Sequence, residues 1–310
     1  MAATISIEGG SSSPPEAGQL FHHFSVGDLA FTSLSDGFID SPATFVASDV
    51  DEREVLGFLA SVGEDTEKLR TPVGCLHVRS PKHGNILVDS GMGKALGPRG
   101  APIPTVGRLK QALAAAGIAP ESIDIVLVSH IHPDHIGGLF DEDDQPAFPN
   151  ASHYVSKGEV EFWGSRANLT GTLMPPIMQQ QTIATAQRYI RLASKGRFHT
   201  FDAGADVLAG VGALLLDGHT PGQVGYLFET NARKLLFSAD AIGHPWVSVM
   251  RPQWRFAFDT DASLASVTRK SLIRKLIDES WLMFSPHFTW PSVGFLTSRD
   301  GNACWVPSTR

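Results

Sequence analysis

The feature that most constrains this chain is a strand pattern that runs straight into a cluster of metal-competent side chains. Residues 123–129 (Ile-Asp-Ile-Val-Leu-Val-Ser) form a β-branched apolar run, the pattern of a buried strand. His130, His132, Asp134 and His135 follow it directly. A buried strand delivers what comes after it to one fixed point at the edge of a sheet. Imidazoles and carboxylates crowded there need a purpose, and a metal centre supplies one. Histidines two apart in an extended segment point the same way, so His130 and His132 can grip one ion. Asp134 and His135 lie past the turn at Pro133 and can reach a second. The alternative is a His-rich surface loop, and the partners that appear later in the chain count against it.

Three further apolar runs end in the same manner. Residues 214–216 lead to Asp217, Gly218 and His219; residues 235–239 lead to Asp240; residues 281–285 lead, through Pro286, to His287. Four strand ends that each deposit a ligand-type residue describe a site rather than a coincidence.

The set resembles the metallo-β-lactamase superfamily: an HxHxDH signature at His130 to His135, then His219, Asp240 and His287. Leu87-Val88-Asp89-Ser90-Gly91 is similar to the strand and turn that precede the signature there. Within the superfamily the chain looks most like the branch of methyl parathion hydrolase and related lactonases. That likeness rests on residues 31–37, 147–151, 161–163, 258–261 and 305–307. The resemblance implies an α/β fold of αββα type: two packed mixed sheets with helices outside. It also implies two divalent ions. One takes His130, His132 and His219, the other Asp134, His135 and His287, and Asp240 bridges them. Nitrogen and oxygen donors without thiolate suit zinc best, with manganese, cobalt or iron as alternatives. Two ions about 3.5–4 Å apart turn a shared water into a hydroxide nucleophile and polarise the oxygen of the bond under attack. The implied activity is opening of a lactone or related ester, with phosphotriesters as a side reaction, and Asp134 relays a proton to the leaving oxygen. A homodimer is expected from the resemblance alone. Two other readings stay open: a hydrolase for an aromatic xenobiotic, of dehalogenase or lactamase type, and a metal-dependent binding protein. The second is disfavoured because no ligand of the set is missing.

Bulk properties narrow the partners. The net charge is −7 and no long Lys/Arg cluster is present, which argues against nucleic acid. No apolar run approaches the roughly 20 residues that a membrane helix needs. Two cysteines, Cys75 and Cys304, cannot build a disulfide scaffold, and Cys75 lies in an apolar segment that predicts core packing. Residues 1–18 are rich in Gly, Ser and Pro and lack an apolar signal core. They read as a flexible arm on a single domain, residues 19–310, of a cytoplasmic protein that acts on a small molecule.

The pattern predicts a first strand over residues 29–35 and a hairpin of 74–78 with 85–88 across the turn 81–84. Thr105 is expected to cap a helix with a Val106, Leu109, Leu113 stripe, ended by Gly117 and Pro120. Helices are expected over 179–193 and 263–279, the latter with Leu264, Val267, Leu272 and Leu276 inward. Strands are expected over 213–216, 225–229 and 234–238, and long loops over 97–107 and 168–181.

Aromatic residues near the ligand positions carry the expectation for the substrate pocket. Phe140, Trp163, Trp246, Phe288 and Trp290 are placed to wall an apolar pocket, with core packing as the competing role for each. Asp89 is expected to hydrogen-bond a ligating imidazole, with a plain turn cap as the alternative. His244 is not expected to be a ligand. The chain departs from its branch at Gln223, in residues 241–245 and in the bulky loop 286–291. Gln223 lies outside the ligand set, and the other two departures lie in loops that shape a pocket.

Overall fold

Strands pair in chain order in each half of the molecule. The first sheet comprises β1 (Phe21–Val26), β2 (Leu29–Ser41), β3 (Leu69–Ser80), β4 (Gly84–Val88), β5 (Ile125–Leu127), β6 (Ser152–Ser156) and β7 (Phe198–Phe201). The second comprises β8 (Asp206–Leu208), β9 (Val211–Leu215), β10 (Val224–Glu229), β11 (Lys234–Phe237), β12 (Leu282–Phe284), β13 (Val293–Arg299) and β14 (Asn302–Pro307). Between them run α1 (Glu52–Ser61), α2 (Leu109–Ala115), α3 (Pro133–Ile136), α4 (Lys157–Gly164), α5 (Pro176–Leu192), α6 (Val247–Met250) and α7 (Ala262–Asp278). This is a computed structural model, and it describes residues 19–66, 68–94, 101–141, 143, 145–165, 169, 172–192 and 197–308. The expected N-terminal arm lies outside these residues, as do residues 97–100, 168, 170 and 171 of the two expected long loops.

The period-two alternation of strands explains how the sheets stack. Ile86 and Val88 of β4, with Ile125 and Leu127 of β5, face inward. There they meet Leu235 and Phe237 of β11 and Leu282 and Phe284 of β12 in one core. The intervening residues face outward. Leu87 and Val126 pack with Leu109 and Leu113 of α2, Trp163 of α4 and Tyr189 of α5. Leu236 and Met283 pack with Leu272 and Leu276 of α7. Two sheets therefore share a core between them, and helices cover each outer face, the expected αββα sandwich. Cys75 is fully buried in the α2-side core.

Strand direction decides where the ligand-type residues gather. β4 and β5 are parallel. In the other sheet β11 and β12 are parallel, and β9 runs the same way because both it and β11 are antiparallel to β10. Asp89 and His130 thus leave one edge of the first sheet, and His219, Asp240 and His287 leave one edge of the second.

Several local expectations need correction. β1 was missed, and β2 runs on to Ser41. The strand ends at 216, 225 and 238 shift by a residue or so, and α5 begins at Pro176. Residue 193, the expected end of that helix, lies outside the described residues. In α7, Leu264 and Val267 are 42% and 64% exposed, whereas Ala265, Arg269, Leu272, Ile273 and Leu276 are buried. A charged residue at the centre of the inward face hid the true phase of the stripe. Among the described residues no helix is long and apolar enough to cross a membrane.

The expected Thr105 cap is also wrong. Helix α2 starts at Leu109, and its N-terminus is held by a residue from β2. Asp36, fully buried beside the register shift at Ser35/Gly37, accepts hydrogen bonds from the backbone N–H groups of Leu109 (2.9 Å), Met92 (2.9 Å) and Gly107 (3.0 Å). Sequence reasoning looks for a cap within the helix's own segment, and this one arrives from about 70 residues away. Burial pushes the Asp36 carboxyl up to about 6, against the pull of these N–H donors.

The sign of the pH effect follows. The folded pKa lies above the unfolded one, so the folded state holds the proton more tightly and loses stability as pH rises from about 4 to about 6. Asp36→Asn abolishes that slope. The stability difference between wild type and variant, measured by urea unfolding, should shift by up to about 3 kcal/mol across this window and stay flat above it.

Candidate metal centre

The signature leaves β5 as extended backbone, which turns His130 and His132 toward one point, and α3 then brings Asp134 and His135 round beside them. His219 arrives after β9. Asp240 lies in the 3-10 turn Ala239–Ile242, entered through Ala239 in the left-handed region (φ 46°). His287 arrives after β12. Two groups result. His130, His132, His219 and Asp240 each offer one donor atom within 4.8 Å of the others, and so do Asp134, His135, Asp240 and His287.

Distances within the first group are 3.1 Å from His130 Nε2 to His132 Nδ1 and 3.0 Å from His132 Nδ1 to His219 Nε2. Asp240 Oδ2 lies 3.4 Å from His219 Nε2 and 3.9 Å from His130 Nε2. In the second group, Asp134 Oδ2 is 3.5 Å from His135 Nε2 and 3.4 Å from His287 Nε2. Asp240 Oδ1 is 3.3 Å and 3.1 Å from the same two nitrogens. Donors bound at about 2.0–2.1 Å in a tetrahedron stand about 3.3 Å apart, so both groups have the size of a zinc site. Asp240 Oδ1 faces the second group, while Oδ2 reaches the first and also lies 3.2 Å from His287 Nε2, so this carboxylate belongs to both groups.

Outer partners aim the imidazoles. Nδ1 of His135 lies 2.7 Å from Asp89 Oδ2, Nδ1 of His219 lies 3.1 Å from Asp259 Oδ1, and Nδ1 of His287 lies 2.7 Å from the Pro72 carbonyl. His130 Nδ1 lies 3.1 Å from Ser129 Oγ. Each contact leaves Nε2 for the centre. His132 is reversed, with Nδ1 at the centre. Asp89 itself sits in the left-handed region (φ 56°) and also accepts from Ser129 N and Ser129 Oγ, so it pins the start of the signature.

The electrostatics fit cations. Burial, then the neighbouring imidazoles, holds His130 well below the ordinary histidine range and His132 down to about 3, so both keep free lone pairs at neutral pH. Burial lowers His135 as well, but Asp240, Asp134 and Asp89 outweigh it and raise its proton affinity. Three carboxylates there call for positive charge, and a divalent ion answers that demand. Asp240 Oδ1 and His135 Nε2 are buried with no hydrogen-bond partner, which also fits donors meant for metal.

Sequence reasoning missed Asp259, Pro72 and Arg269. Fully buried Arg269 donates to Asp259 Oδ2 (3.2 Å) and to the carbonyl of Ala241 (2.9 Å), and so links the turn of Asp240 to the orientation of His219. His244 lies outside both groups. Its Nδ1 accepts from Val247 N at 3.1 Å.

A cavity of about 930 Å³ opens onto His132, Asp134, Asp240 and His287. Of the five expected pocket residues, Phe140 lines it and the other four do not. Trp163 and Phe288 have no exposed surface and belong to the two outer cores. Trp246 is turned away by the start of α6, and its indole donates to Glu64 Oε1 at 2.6 Å. Trp290 is half-buried off the cavity. The aromatic wall instead comes from Phe45, Phe256 and Phe258, none of which adjoins a ligand in sequence; the Phe256 ring stacks with the His219 imidazole.

Protein purified without chelator should carry close to two metal equivalents per chain by elemental analysis. Asp240→Asn removes the charge shared by both groups and should lose at least one equivalent while its circular dichroism stays native. His244→Ala should leave the count unchanged, and loss of an ion there would mean that the donor set is misassigned.

Comparison with known proteins agrees with this geometry. The family model described as the metallo-beta-lactamase superfamily matches residues 72–287, which span every residue of both groups. The structure of AidC, a dizinc quorum-quenching lactonase in complex with a product, superposes with a TM-score of 0.85 at 28% identity, covering 94% of this chain and 99% of that one. The hydrolase AbOPH, of the beta lactamase superfamily, gives 0.82 at 27%, covering 94% and 98%. An N-acyl homoserine lactonase of Bacillus cereus is 24% identical over 221 residues, covering 67% of this chain and 78% of its own length. With the family model spanning most of the chain and the donor set complete, the chain belongs to the metallo-beta-lactamase superfamily and is one of its hydrolases.

Proposed function

We propose that this protein is a two-zinc lactonase that opens the ring of a lactone carrying an extended, largely apolar substituent, such as an N-acyl homoserine lactone. One observation carries the reading: His132 and Asp240 of the first donor group, with Asp134 and His287 of the second, form the floor of a single cavity whose walls are mainly apolar. Similarity to the lactonases above supports the same substrate class. The donor set of imidazoles and carboxylates without thiolate supports zinc.

Two such ions, when bound, supply hydroxide from water near neutral pH and polarise the carbonyl oxygen. The chain's own residues do the rest. Asp240, between the two groups, balances the charge of both. Asp134 is the most exposed of the floor residues, with 20% of its side chain exposed against 4% for Asp240 and 2% for His287, while His132 is buried. Burial raises its pKa, but His135 and His287 draw it down to about 2, so it stands as a carboxylate. It can take up the proton released during attack and hand it to the leaving alkoxide. Phe45 and Phe258 meet edge to face, ring centroids 5.5 Å apart, and wall the substituent with Met174 and Met178, whose thioethers adapt to shape. Gln181 and Thr185, one turn apart on α5, face the same cavity; the Gln181 side-chain NH2 suits an amide or keto oxygen, and the Thr185 hydroxyl, which donates to the Gln181 carbonyl, can accept from an amide N–H. An activated phosphorus presents similar attack geometry, so phosphotriesters fit the same centre as a side reaction.

The test is a turnover screen of lactones, aryl esters and phosphotriesters at defined zinc loading. Lactones with long acyl groups should be turned over best, and a chelator should abolish the activity until zinc is restored. Turnover of aryl esters or phosphotriesters with none of any lactone would sink the proposal. Phe258→Ala removes contact area from substrate and transition state alike. A buried ring contributes roughly 1.5–3 kcal/mol, so KM should rise about tenfold or more with kcat and metal content little changed. Trp163→Ala should instead lower the melting temperature.

A further inference from the structure

The three nitrogens of the first group come from different sheets. His130 and His132 follow β5 of the first, and His219 follows β9 of the second. Their spacing has to be held across the sandwich, and one buried side chain touches both segments. Glu159, in α4, has no exposed surface. Its Oε2 accepts from the backbone N–H of Ile131 at 2.8 Å, and Ile131 stands between His130 and His132. Its Oε1 accepts from the hydroxyl of Thr220, the residue after His219. Oε2 also accepts from the indole N–H of Trp163 at 2.8 Å. The Trp163 ring meets the His132 imidazole edge to face, with centroids 5.6 Å apart.

Helix α4 is itself seated on the loop after His219. Ser156 caps the helix by accepting from Glu159 N, and its hydroxyl donates to the Gly222 carbonyl. Gly222 has φ 91°, and a Cβ there would come within 2.5 Å of Glu159 N. A Cβ on Gly158 would come within 2.9 Å of Gly222 Cα. Backbone therefore rests on backbone, and the carboxyl is delivered to a fixed place between the two ligand loops. Burying a carboxyl among neutral donors is costly. Residues that only pack do not need one.

We propose that Glu159 is a positioning residue that sets the separation of His130 and His132 from His219, and so keeps the first ion site assembled in the metal-free protein. The inference rests on the two-ion reading and not on the identity of the substrate.

The experiment is a Co(II) titration of the metal-free, full-length protein, followed by visible absorption, in an Asp134→Asn background that leaves only the first group with its full donor set. Glu159→Ala should weaken Co(II) binding by about 10–100-fold, the usual scale for losing a partner of the ligand loops. Glu159→Gln should bind within a few-fold of the parent. Its amide oxygen can accept from Ile131 and Trp163 while its NH2 donates to the Thr220 hydroxyl. Thr220→Val, which removes only one contact, should fall between, and it decides the matter if Glu159→Ala does not fold. Parent-like affinity in the folded Ala and Val variants, or equal weakening by Ala and Gln, overturns the proposal. A parent protein that takes up no Co(II) overturns the two-ion reading along with it, whereas absent lactone turnover with the expected cobalt affinities overturns only the lactonase reading.

Discussion

Compensation of buried negative charge is the constraint on which this molecule depends. Asp89, Asp134 and Asp240 all approach His135, and only Asp134 keeps appreciable exposure. In a low-dielectric interior such a set cannot stand as bare anions; protons or metal ions have to accompany it. Imidazoles that burial keeps neutral, as at His130 and His132, are poor counterions and good ligands. The balance between proton and metal at this point couples the electrostatics of the fold to its chemistry.

The sandwich makes that concentration of charge geometrically feasible. Each sheet contributes parallel-running strands whose ends open at a common edge, β4 with β5 on one side and β11 with β12 on the other. Because every ligand lies a few residues beyond a buried strand, little free chain is left to be ordered. The partners that aim the imidazoles are then taken from whatever passes nearby: a strand carbonyl at Pro72, a turn carboxylate at Asp89, a loop carboxylate at Asp259.

The ligand pattern was legible because strand ends and their residues are adjacent in sequence. The fold was legible through the same runs, whose alternation sorts Ile86 and Val88 from Leu87. What escaped is non-local. Asp36 caps a helix from another strand, Arg269 reverses the apparent phase of α7, and Asp259 reaches His219 from 40 residues away. The pocket was misplaced for the same reason. Trp246 and Trp290 are close to ligands along the chain, but the backbone turns at once and carries them off, while Phe45 and Phe258 come in from elsewhere.

That last arrangement has a consequence for how such a protein can change. The cavity wall from Phe45, Phe258 and the exposed face of α5 is built on segments that contribute no donor to either metal group. Substitutions there alter shape and polarity without touching the floor. Over evolutionary time the specificity of this scaffold can drift by small steps through wall residues while its reactive apparatus stays constant, so that new substrates are reached without passing through an inactive ancestor.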